Sequence, residues 1–165
     1  MGVLSSIAGS DAVWGATLEG ALFPLAVPIG LDLALSVAST HAQTILSPAA
    51  EARWIQPTMS LGPSLRWRGK SAAMLDVHAG GALAVLRVQG AGALSKSASD
   101  TSLRFALDAG LRGLWTWNDG AVWLGADLFA YPGQDRLTIG NYGDVGSLPR
   151  LEVQLAFGIS LGRFR

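Results

Sequence analysis

The chain contains no cysteine. That absence removes disulfide scaffolds, thiolate nucleophiles and Cys-built zinc sites, and leaves the redox compartment open. Charge is scarce as well. Charged residues make up 15% of the chain, where ordinary soluble domains carry roughly 25%. The twelve Lys plus Arg offset the twelve Asp plus Glu. No global field therefore exists to draw in nucleic acid, a polyanionic substrate or an anionic membrane surface, and no nucleic-acid partner is expected. Histidine occurs twice, as His41 and His78. Neither stands at a metal-ligand spacing from other His or acidic residues, so no metal and no cofactor is expected. Basic residues begin only at Arg53, so the basic region of a secretory leader is missing. We expect any leader to have been removed, with Met1 and Gly2 as an added start.

A membrane-spanning helix is missing too. The apolar run from Ala21 to Ser39 has the length for one, about 20 residues. Pro24 and Pro28 break its first half, Asp32 sits in its middle, and from Val27 onward its residues alternate instead of recurring at helical spacing.

What the chain does have is apolar content (50%), glycine (21 residues) and period-two alternation, the signature of strands whose faces meet different surroundings. Near the C-terminus Leu151, Val153, Leu155, Phe157, Ile159 and Leu161 share one face, opposed by Glu152, Gln154, Ala156, Gly158 and Ser160. The same pattern predicts strands over about Val13 to Phe23, Val27 to Ser39, Arg53 to Arg68, Ser71 to Val88, Leu103 to Trp117 and Ala121 to Tyr131. Pro57 and Pro63 lie in the third of these, where we expect a bulge.

Connections alternate in length. Tight ones fall around Pro24 to Pro28, at Arg68-Gly69-Lys70 and at Asn118-Asp119-Gly120. Long ones run over residues 40–50, 89–101 and 132–150. Seven strands are legible. If the chain ends on the short-turn side, an eighth, upward strand should precede Val13, within Gly2 to Ser10 and either short or partly truncated, so the expected fold is a single all-β domain, an antiparallel up-and-down β-barrel of about eight strands.

The face opposite the apolar one carries Glu19, Asp32, Arg66, Asp76, His78, Arg104, Asp108, Arg112, Asp127 and Glu152, with Gln56 and Gln154. Lys is nearly absent there while Gly and Ala abound, which makes a poor soluble surface and a good barrel lumen. In so narrow a lumen the charges must be paired, and we expect an ion-pair network that largely plugs it. Aromatics cluster near strand ends. Trp14 and Tyr131 fall toward the long loops and Trp67, Trp115, Trp117 and Phe164 toward the short turns, as interfacial girdles would. Trp54 and Trp123 point inward by register.

On these residues the chain resembles the small outer-membrane β-barrel families of Gram-negative bacteria, of the kind that includes the outer-membrane protein A transmembrane domain. The stretch from Phe157 through Ile159 and Leu161 to Phe164 looks like their terminal assembly signal, although here the aromatic is penultimate. The resemblance implies a transmembrane barrel in the outer membrane, in contact with lipid and with the outer-membrane assembly machinery. It implies a structural, anchoring or interaction role, with protein partners met through the three long loops. A narrow channel for small solutes and a soluble barrel holding an apolar ligand remain alternatives. So does a lipid-modifying enzyme, in which His78 would be a base held by Asp76, with Ser60 or Ser64 as nucleophile; the main expectation is that the chain is not an enzyme.

Overall fold

The structure is a computed structural model. It describes residues 2–8, 11–24, 27–39, 43–47, 50–69, 72–92, 99–133, 136–138, 144–147 and 150–161, with side chains described for 14–24, 27–39, 53–69, 72–89, 101–133 and 150–161. Every described regular element is a strand: β1 (Gly2–Ala8), β2 (Asp11–Leu22), β3 (Ile29–Ser39), β4 (Gln43–Ser47), β5 (Ala50–Arg68), β6 (Ala73–Gly92), β7 (Ser99–Trp117), β8 (Gly120–Ala130), β9 (Arg136–Thr138), β10 (Asp144–Ser147) and β11 (Leu151–Leu161). The expected all-β antiparallel barrel is therefore present, and the described part of the Ala21 to Ser39 run is strand at both ends, up to Leu22 and from Ile29 to Ser39.

Eight strands pair edge to edge in a ring. β1 pairs with β2, β2 with β3, β3 with β5, and the ladder continues through β6, β7, β8 and β11 back to β1. Seven of them carry described side chains; β1 enters through its backbone pairing on both sides. Closure removes the unpaired edges that an open sheet would present. The short N-terminal strand is where the hairpin count requires it.

Two sequence expectations are corrected. The prolines of β5 create no bulge, because the ladder to β3 runs unbroken from Ile55 to Leu65. On the other side the ladder to β6 skips residues 56–57 and 62–63. Each proline removes one donor, and it is the pairing to β6 that gives way. The expected long loops also contain strand. β4 lies within 40–50, β9 pairs with β10 within 132–150, and β5, β6 and β7 run on to Ala50, Gly92 and Ser99. On that rim β4 to β7 stand as a sheet extension beyond the ring. At the opposite rim the tight β7–β8 connection falls where the sequence predicts it, as a two-residue turn at Asn118-Asp119: Trp117 pairs with Gly120, and Asn118 takes the left-handed backbone conformation at φ 30°. Asparagine tolerates that region better than most residues.

The alternation resolves into an inside and an outside. Leu107, Leu155 and Phe157 are 59%, 47% and 58% exposed, and the outer wall is apolar around the ring, from Leu18 on β2 and Leu35 on β3 to Ile159 on β11. On β5, β6 and β7 this apolar belt covers Ile55 to Trp67, Leu75 to Val85 and Leu103 to Trp117, and it stops at the exposed Arg53, Arg87 and Thr101. Most buried positions are polar or small, among them Thr17, Asp32, Gln56, Ser60, Asp76, Ala82, Ala106 and Gln154, and they are joined inside by a few large side chains such as Leu86, Leu114, Trp123, Phe129 and Tyr131.

Candidate functional site in the barrel interior

Register places the interior charges. Arg66, Asp76 and Arg112 are successive cross-strand partners on β5, β6 and β7, so three charged side chains enter the lumen at one height. Arg66 takes Asp76 in a two-pronged grip, its Nε donating to Oδ1 at 2.7 Å and its Nη2 to Oδ2 at 2.6 Å, and its guanidinium lies 4.0 Å over the Phe23 ring. Such a fork matches the planar guanidinium to the carboxylate and fixes both. Arg112 reaches across the lumen instead. Its Nη2 stands 2.7 Å from Glu19 and its Nη1 3.7 Å from Asp32, with the guanidinium 5.1 Å over Trp123.

The next height is built around His78. Ser64, His78, Gly110, Asp127 and Gln154 follow one another around the ring as paired residues. His78 Nε2 is 3.2 Å from Asp127 Oδ1 and 3.6 Å from Asp108 Oδ2. Gly110 makes this meeting possible: a Cβ there would overlap Asp127 Oδ1 and stand 2.8 Å from His78 Nε2. The imidazole and carboxylate of the flanking strands close over a bare backbone.

Toward the extended rim the groups are joined by neutral intermediaries. Arg104 Nη1 donates to Gln56 Oε1 at 3.2 Å, and Gln56 Nε2 lies 3.2 Å from Glu152 Oε2 and 3.1 Å from the Tyr131 hydroxyl. Tyr131 in turn donates to Glu152 at 3.3 Å, and Gln154 Nε2 donates to its other oxygen at 2.7 Å. The Arg104 guanidinium stacks 3.8 Å over the Tyr131 ring.

All ten expected lumen residues thus face the interior and are joined in it, with two corrections. Asp76 belongs to Arg66 and not to His78, whose partners are Asp108 and Asp127; a base held by Asp76 is therefore not what the fold builds. Tyr131 is not an interfacial aromatic, because it is 3% exposed inside the barrel. Its parity with Trp123 and Asp127 on β8 was the available signal. Trp14, Trp67, Trp115 and Trp117 do stand on the outer wall, as do Phe157, Ile159 and Leu161, while Trp123 is buried. Phe164 lies outside the described residues, as does His41. Among described side chains the interior holds six carboxylates (Glu19, Asp32, Asp76, Asp108, Asp127, Glu152) against the guanidiniums of Arg66, Arg104 and Arg112, with His78 between them. No protein-family model matches the chain, and no curated protein matches it.

Proposed function

We propose that this protein is an integral outer-membrane β-barrel with a lumen closed by ion pairs, serving as an anchor or interaction module. One observation carries the reading: the apolar residues face out and the charges face in. A soluble barrel hides its apolar face, and soluble monomers rarely expose contiguous apolar patches beyond a few hundred Å². Here apolar side chains dominate the outer wall of the ring.

Dimensions agree with a bilayer. The 11-residue strands β3, β8 and β11, at the usual barrel tilt, rise about 28 Å. Outer-membrane barrels present an apolar band about 25 Å tall. The polar stops at Arg53, Arg87 and Thr101 mark one border, and Trp67, Trp115 and Trp117 lie at the other, where an aromatic girdle belongs.

The interior supports a plug over a conduit, because side-chain contacts reach across it at two heights, from Arg112 to Glu19 and Asp32 and from Arg104 through Gln56 to Glu152. It also disfavours an apolar ligand, which would have to displace paired charges. The sheet extension of β4 to β7 supports an interaction role, since β4 is paired on one side only, to β5, among the described pairings, and such an edge can accept a partner strand. The test is folding in detergent micelles against aqueous buffer. β-type circular dichroism with heat-modifiable gel migration only in detergent is expected, with no discrete conductance in planar bilayers. A monomer that stays folded and soluble without detergent overturns the membrane reading, and unitary conductance overturns the plug.

A further inference from the structure

We propose that His78, Asp108 and Asp127 form a binding site for a divalent transition-metal ion inside the barrel. The inference concerns the interior alone and holds whether or not the outer wall meets lipid. One ligand atom from each residue falls within 4.8 Å of the others. The two measured separations from His78 Nε2, 3.2 and 3.6 Å, are what a single ion bonded at about 2.0–2.2 Å to nitrogen and oxygen would impose on its ligands.

Three further observations point to an ion over a bare hydrogen-bonded cluster. Asp108 Oδ1 is buried with no hydrogen-bond partner, on a side chain only 3% exposed. A carboxylate oxygen left so is costly, and its usual explanation is a bound water or ion. Next, both carboxylates face the same imidazole nitrogen, which carries at most one proton and cannot satisfy two acceptors well; a divalent ion bonds all three atoms at once. Finally, the described interior carries six carboxylates against three guanidiniums, and two of the surplus carboxylates are at this site.

Ligand type selects the ion. One imidazole with two carboxylates suits a borderline ion such as Zn²⁺, while Ca²⁺ and Mg²⁺ favour all-oxygen shells. Three protein ligands leave a position for water. Ser64, paired across from His78, has a buried Oγ with no hydrogen-bond partner and is placed at the same height to receive one.

The probe is Zn²⁺, titrated calorimetrically into the full chain after chelator treatment, with Co²⁺ absorption as a spectroscopic readout and circular dichroism to verify folding. Binding of about one ion per chain is expected, as for a single set of three protein ligands. His78→Ala, Asp108→Asn and Asp127→Asn should each weaken it at least tenfold, and His41→Ala should leave it unchanged. Gly110→Ala keeps every ligand but puts a methyl between Asp127 and His78, and it should weaken binding too. Absence of stoichiometric binding by the folded wild-type chain overturns the proposal. So does binding that survives Asp127→Asn or is lost in His41→Ala.

Discussion

Removing the Arg112 guanidinium tests whether the interior is a dry plug. Arg112 holds Glu19 at 2.7 Å and approaches Asp32 at 3.7 Å, and its side chain is 8% exposed against 10% and 6% for the two acids. In Arg112→Ala the two carboxylates lose this shared cation without gaining bulk water. Breaking a buried pair from one side costs about 3–5 kcal/mol, because the orphaned charge stays buried. With a urea dependence of roughly 2–3 kcal/mol per molar, the unfolding midpoint should fall by about 1–2.5 M. The assay is urea unfolding of the folded barrel followed by tryptophan fluorescence and, independently, by gel migration. Replacing all three charges together, as Arg112→Met with Glu19→Gln and Asp32→Asn, should recover much of the loss, since no unpaired charge then remains. A shift below about 0.5 kcal/mol for Arg112→Ala is what a solvated surface pair gives. That result would mean water fills the lumen, and the plug would be refuted.

Two further substitutions test the wall and the rim. Leu107→Arg places a charge on the outward face of β7, where Leu107 is 59% exposed. In a bilayer this should cost about 2–4 kcal/mol near the midplane, whereas an equally exposed residue facing water should change stability by no more than about 0.5 kcal/mol; refolding into vesicles reads the difference. Tyr131→Phe deletes a hydroxyl that bonds Glu152 and Gln56 and retains the ring beneath Arg104. Urea unfolding should report a loss of about 1–3 kcal/mol, and an unchanged midpoint would contradict the network at that end.

How far the sequence could be read depends on where its two faces meet different surroundings. On β11 every second residue from Glu152 to Ala156 is buried and every intervening one exposed, so alternation alone fixes strand, length and facing. On β5 to β7 the same signal fades beyond Arg53, Arg87 and Thr101. There the backbone pairing continues to Ala50, Gly92 and Ser99, in short stretches of small and polar residues whose sequence carries no apolar–polar alternation. The segments read as loops for that reason. Tyr131 was misassigned because its place near a strand end outweighed its parity. The partners of His78 were out of reach altogether. Asp76 is two residues away on the same face, yet its carboxylate is taken by Arg66 across the β5–β6 ladder, and the partners come from β7 and β8. That choice depends on three registers and on the missing side chain at Gly110, none of which linear spacing encodes.

The order of charges along β7 bears on what the interior can do. Arg104, Asp108 and Arg112 all face the lumen, each four residues from the next, or about 13 Å along the strand. Asp108 stands with His78 and Asp127, Arg112 with Glu19 and Asp32, and Arg104 with Gln56 and the Tyr131 ring. The height richest in uncompensated carboxylate therefore lies between two guanidiniums. Arg112 shares its height with Arg66 and is met there by Glu19, Asp32 and Asp76, while Arg104 is linked through Gln56 to Glu152, so the guanidiniums at both levels are themselves offset by carboxylates. Only at His78 do two carboxylates meet without a guanidinium, and that local excess is what the proposed ion would offset.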